Sequence, residues 1–191
     1  MLSAIRQNTS MDTMLPAIAG KRRMSQLLAQ LVFILAGGTL LAASPQFNVM
    51  VPPSPVPITG QTLVVLMIGM AFGPRLGAIT ILAYILAGLC GLPVFAGGGA
   101  GVSVLVGPSG GYLVGFVAAA FVIGLLAQRG MDRSILRIAL AIVVGTLIIY
   151  LFGLAWFASL IGMVKAFLFG IQPYLWADAM KLVVAACLMP A

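Results

Sequence analysis

The chain has 191 residues, of which 62% are apolar and 7% charged, with ten Lys or Arg, three Asp or Glu and no His. Average soluble domains carry about 25% charged residues, so the composition excludes an ordinary soluble enzyme and a disordered tail and requires a solvent that is largely lipid. The net charge of +7 does not mark a nucleic-acid surface, because the basic residues flank apolar runs instead of gathering on one face.

Residues 1–23 form a polar N-terminal segment that holds Arg6, Asp12, Lys21, Arg22 and Arg23. The basic triplet, the apolar run after it and Leu41-Ala42-Ala43-Ser44 have the outline of a secretory signal. The run is long for a signal core and further spans follow, which predicts an uncleaved first transmembrane helix at about 24–43. Within it Gly38 and Ala42 stand in a small-xxx-small arrangement, which permits close approach by another helix of this chain or of a partner subunit. The connection after it, 44–61, contains Pro45, Pro52, Pro53, Pro55 and Pro57 and no charge. The second and third spans, about 62–72 and 76–89, are short for a bilayer core that takes about 20 helical residues. Gly73-Pro74-Arg75 joins them as a tight helical hairpin. A second uncharged connection, 91–111, carries eight glycines with Pro93 and Pro108. Spans four, five and six are expected at about 111–127, 135–156 and 174–189. The chain therefore divides into the polar segment 1–23 and an all-α transmembrane domain of six helices, 24–191.

The positive-inside rule orients these spans. With the N terminus inside, the N-terminal segment, the 73–75 turn and the 128–137 connection all face the cytoplasm. They hold Arg6, Lys21, Arg22, Arg23, Arg75, Arg129, Arg133 and Arg137, eight of the ten basic residues, against Lys165 alone outside. Both termini are then cytoplasmic. The two Gly/Pro-rich connections lie outside. Irregular backbone at membrane depth is tolerated where it is buried in protein or lines a cavity, so both loops are expected to fold back and cap a ligand pocket.

No catalytic constellation is present. His is absent, and the sole Gly-Lys pair, Gly20-Lys21, lacks the remainder of a phosphate-binding loop. Gly97-Gly98-Gly99 has no strand–turn–helix context and suits sharp turns or close backbone approach to a ligand. Asp178 and Lys181 stand out in the last span. Spaced i, i+3, they share a helix face in its outer half. Ionisable residues inside a span usually mark function, here a ligand anchor in which Lys181 donates to a carboxylate and Asp178 accepts from N–H groups. A structural ion pair, or a lysine reaching to the interface, is the other reading. Tyr112, Thr59, Gln61 and Thr62 are neutral hydrogen-bonding groups placed to line an outer pocket, with an aromatic belt for Tyr112 and helix capping by Thr59 as alternatives. Tyr84 is a further neutral group of this kind, although for it the aromatic belt is the preferred reading.

Four segments carry a resemblance: Val56-Pro57-Ile58-Thr59-Gly60-Gln61-Thr62, Gly91-Leu92-Pro93-Val94-Phe95-Ala96-Gly97-Gly98, Gly107-Pro108-Ser109-Gly110-Gly111-Tyr112-Leu113-Val114-Gly115-Phe116, and Asp178-Ala179-Met180-Lys181. In order and spacing they resemble the BioY family, the biotin-specific substrate-binding (S) components of energy-coupling-factor (ECF) transporters. The resemblance runs from about the first span to the end and leaves the first 20 or so residues outside. It implies a six-helix protein of the bacterial cytoplasmic (inner) membrane that binds biotin near its outer face. It also implies a transmembrane coupling (T) protein and cytoplasmic ABC-type ATPase subunits as partners, with ATP used only by them and no cofactor or catalysis in this chain. By the same resemblance Asp178, Lys181, Tyr112, Thr59, Gln61, Phe95, Gly97 and Gly98 form the ligand site, and Gly38 and Ala42 face the coupling protein. One departure is that residues 76–128 carry no charge, which leaves Lys181 as the transmembrane cation for the ligand carboxylate. An S component for another small vitamin or precursor, or a stand-alone biotin carrier, is the alternative.

Overall fold

The computed structural model describes residues 23–46, 48–49, 54 and 56–174. Helix α1 spans Arg23–Ala43, α2 Gln61–Leu89, α3 Val102–Val106, α4 Gly110–Leu126, α5 Ile135–Ile161 and α6 Met163–Gly170. Between α1 and α2 a short antiparallel ladder pairs β1, Asn48–Val49, with β2, Ile58–Thr59. Among the described residues, four helical stretches are long and apolar enough to cross a membrane: Gln26–Gln46, Gln61–Leu89, Gly110–Met131 and Ile135–Ile161. In lipid no water completes the hydrogen bonds of exposed peptide groups, so an uninterrupted apolar run closes them within itself as a helix. Leu31, Val32 and Leu35 of α1 and Leu136, Leu147 and Leu151 of α5 point outward and are exposed. In water such faces would be large sticky patches; lipid solvates them.

The α2 segment is broken in its middle. Gly73 has φ 78° and ψ 177°, a conformation essentially reserved for glycine, and Pro74 has no N–H to continue the ladder. A Cβ on Gly77 would lie 3.1 Å from the Cα of Gly69, although these positions stand about 12 Å apart in a straight helix. The chain therefore reverses at Gly73, and residues 61–72 and 74–89 pack against each other as the expected hairpin.

Among the described helices α4 is the central one, with the α2 hairpin on one side and α5 on the other. Its glycines let backbones meet. A Cβ on Gly124 would fall 2.3 Å from Pro74 N, at the hairpin turn, and one on Gly111 would fall 2.3 Å from Trp156 Cβ of α5. Ala119, Ala120 and Ile123 of α4 are fully enclosed.

Helix α1 packs on the α2 hairpin through a neighbour of the glycine singled out from the sequence. A Cβ on Gly37 would press within 2.8 Å of the Phe72 ring and 3.0 Å of Thr80, whereas one on Gly38 would meet nothing within 4 Å. Ala42 is half-buried and rests against the core.

One boundary and two short helices differ from expectation. Helix α5 continues to Ile161, past the predicted end at residue 156, because no breaker interrupts the apolar run before Gly162, whose φ is 86°. Helix α6 follows it directly. Helix α3 lies inside the second connection, bracketed by Gly101 and Gly107, and five residues are too few to show a period in sequence. The last predicted span lies outside the described residues except for Tyr174, which closes the short turn Gln172–Tyr174.

Candidate functional site

A cavity of about 320 Å³ opens at the end of the bundle that carries both long connections. The first connection supplies Val56, Pro57 and Thr59, and the start of α2 supplies Gln61 and Thr62. Phe95, Ala96, Gly97, Ser103, Val104 and the 107–109 segment come from the second connection. Tyr112, Leu113 and Phe116 of α4, Thr146, Ile149 and Tyr150 of α5, and Tyr174 complete the wall. The described lining is uncharged: apolar surfaces carry a scatter of hydroxyl groups and one amide. Such a lining suits a small amphipathic molecule, since apolar walls take its carbon skeleton and neutral polar groups orient it.

Gln61 is buried, and its Nε2 donates to the Tyr84 hydroxyl at 2.6 Å, which donates in turn to the Val94 carbonyl at 3.0 Å. Tyr84 is thus no belt residue. It is enclosed and ties the start of α2 to the second connection. Phe95 stands edge-on to Tyr84, with ring centroids 5.6 Å apart, and its ring fits over Gly88, where a Cβ would come within 2.2 Å. Gly97 and Gly98 both have positive φ, 67° and 74°, so the chain turns sharply there in a conformation that other residues rarely adopt. Gly97 lines the cavity, and Gly98 sits beside it in the turn.

Thr59 Oγ1 accepts from the Gln61 backbone N–H at 3.3 Å, an N-terminal tie for α2, while the residue also faces the cavity. Tyr112 is buried; its hydroxyl donates to the Gly170 carbonyl at 2.9 Å, and its ring lies against Gly153 on the way. What Tyr112 turns to the cavity is therefore chiefly an aromatic surface whose position is locked by α6. Tyr174 closes another side: its hydroxyl donates to the Val56 carbonyl and lies 2.7 Å from Ser54 Oγ. Trp156 Nε1 donates to the Gly107 carbonyl at 3.0 Å and holds the end of the second connection to α5.

The fold thus brings Thr59, Gln61, Phe95, Gly97 and Tyr112 around one cavity, with Gly98 adjacent. Asp178 and Lys181 lie outside the described residues. Gly38 and Ala42, on α1, do not line the cavity. Sequence reasoning passed over Thr146, Ser103 and the tie between Tyr174 and Ser54. Thr146 had a visible signal, a hydroxyl within a largely apolar span, whereas the tie between Tyr174 and Ser54 depends on a contact 120 positions away.

Fold and cavity together define a helical membrane protein built around a small-molecule pocket at one end. The sequence model of the BioY family matches residues 12–191, and the chain belongs to that family. The match begins inside the N-terminal segment, earlier than the four motifs place it. The biotin transporter BioY of Thermotoga maritima is 42% identical over 71% of this chain and 80% of its own. The protein of the same name from Rhizobium etli is 38% identical over 70% of this chain and 76% of its own. The crystal structure of the S-component for biotin from an ECF-type ABC transporter shares the fold, with a TM-score of 0.77 at 23% identity over 86% of this chain and 90% of that one.

Proposed function

We propose that this chain captures biotin and serves its uptake as the S component of an ECF-type transporter. The observation that carries the reading is the cavity. It is walled by three of the four segments that bear the family motifs, and its neutral, mainly apolar lining matches a ligand with a short aliphatic chain and a compact ring of amide-like N–H and C=O groups. The named relatives support the ligand. No chemical change to the ligand is asked of this chain, and ATP is used by ATPase subunits joined through a coupling protein.

In this reading the two arms of α2, the three other long helices and a last span give six membrane crossings, with both termini in the cytoplasm of a bacterium and the cavity open outward. The distribution of the arginines supports that orientation. Asp178 and Lys181 enter the cavity from the last span and supply the charge that the described lining lacks. Lys181 meets the carboxylate.

Binding of labelled biotin to the purified protein tests the reading. Removing a charged hydrogen-bond partner costs about 1.5–3 kcal/mol, so Asp178→Asn and Lys181→Ala should each weaken binding roughly ten- to a hundredfold. Parent-like binding by both variants would remove them from the site. Stronger competition by another vitamin would reassign the ligand, and uptake into vesicles free of ATPase subunits would make the chain a carrier in its own right.

A further inference from the structure

We infer that Tyr84, which stands behind the cavity wall, fixes the amide of Gln61 so that the site offers a hydrogen-bond acceptor at that point and selects ligands that bring an N–H to it. The inference rests on the reading of the cavity as the biotin site.

A tyrosine hydroxyl has one hydrogen. The Val94 carbonyl can only accept, and it lies 3.0 Å from the Tyr84 oxygen, so that hydrogen is committed to Val94. Toward Gln61, at 2.6 Å, the Tyr84 oxygen can therefore only accept. An amide oxygen placed there would set lone pairs against lone pairs, so the NH2 end of Gln61 must face Tyr84. This settles the amide orientation by chemistry, without appeal to the similar shapes of its two ends.

The other end is then Oε1. Gln61 is buried yet lines the cavity, and among the described residues no donor bonds its oxygen and no enclosed side-chain oxygen or nitrogen is left without a partner. Oε1 therefore opens onto the cavity as an acceptor. A carboxylate brings no hydrogen to such a group at neutral pH, whereas the ureido ring of biotin brings two N–H groups. The ring end of the ligand is thereby assigned to the start of α2, and the carboxylate to the far side of the pocket. Tyr84 acts through Gln61 as a positioning residue. Phe95, edge-on to its ring, and the Val94 carbonyl hold it in place.

The test uses the purified full chain with three probes: biotin, biotin methylated on a ureido nitrogen (each of the two isomers), and biotin methyl ester. For the parent protein, methylation of one ureido nitrogen should weaken binding about tenfold or more. In Tyr84→Phe, which keeps the ring and its contact with Phe95, biotin should bind several-fold more weakly, and the penalty for methylating that nitrogen should shrink toward one. The ester penalty should stay as in the parent. In a Gln61→Leu background, Tyr84→Phe should cause no further loss, because the residue through which it acts is gone. The inference is overturned if neither methyl isomer binds less well than biotin to the parent. It is equally overturned if Tyr84→Phe leaves the methylation penalty unchanged, or weakens binding as much without Gln61 as with it. A parent protein that binds no biotin would instead defeat the reading of the site itself.

Discussion

The hydroxyl of Tyr174 donates to the backbone carbonyl of Val56, 118 positions earlier in the chain. Ser54 completes the junction: its Oγ lies 2.7 Å from the Tyr174 oxygen, 3.1 Å from the Val56 carbonyl and 3.2 Å from the Val56 nitrogen. Val56 and Tyr174 both line the cavity, so the junction holds the first connection against the far wall. A neutral hydrogen bond of this kind is worth about 1 kcal/mol. Tyr174→Phe should therefore speed the release of labelled biotin several-fold while leaving the thermal midpoint of the protein within a few degrees of the parent. Stopped-flow dissociation and a melting curve in detergent check the two halves of the prediction.

Gly37 and Gly38 are neighbours with opposite surroundings. A side chain at Gly37 would run into Phe72 and Thr80, whereas one at Gly38 would enter open space. Overpacking a close contact costs about 1–3 kcal/mol, so Gly37→Leu should lower thermal stability clearly. Gly38→Leu should leave stability and biotin binding near the parent and reduce co-purification with the coupling protein. Ala42 leans on the core, so Ala42→Leu should lower stability as well. Pull-down of the coupling protein beside a melting curve separates these outcomes.

Gly73 occupies φ 78° and ψ 177° at the reversal of the hairpin. Such backbone costs other residues on the order of 1–3 kcal/mol, so Gly73→Ala should lower the melting temperature in detergent even though the added methyl is small. Pro74 beside it abuts α4 at Gly124. Loosening of this turn should also show as faster amide exchange in residues 69–77.

Cys90 caps the end of α2, exposed, and its thiol is free. If the cavity opens outward, a membrane-impermeant maleimide should label Cys90 in intact cells of a Cys187→Ser strain. A cysteine at Arg75, in a Cys90→Ser and Cys187→Ser background, should react only after the membrane is opened. The reverse pattern would invert the proposed topology.

Much of the fold was legible because lipid makes the code simple. An apolar run must be helical, so 24–43, 111–127 and the start at 135 come within a residue or two of α1, α4 and α5. Gly73-Pro74 marked the reversal because glycine alone tolerates that φ and proline cannot continue the ladder. The candidate site was legible in part. Thr59, Gln61 and Tyr112 stood at the loop-side ends of apolar runs, where a pocket-facing polar group belongs. Thr59 and Tyr112 prove to be tied to backbone as well as facing the cavity. Tyr84 was misjudged as a belt residue, since its sequence neighbours are all apolar and its partners stand 23 positions before it and 10 after it.

Composition and apolar run length determined that this chain lives in a membrane, which segments are helical and where the chain turns, because the cost of exposing peptide groups to lipid depends only on local sequence. Which way each helix faces was decided only by the tertiary structure. A helix in lipid is apolar all round and has no wet side to reveal its rotation, so Gly37 rather than Gly38 meeting the hairpin could not be read from spacing. Side-chain hydrogen bonds share that dependence. They join groups brought near by packing, and it is packing that set the Gln61 amide in the cavity wall with the Tyr84 hydroxyl and the Val94 carbonyl linked to it.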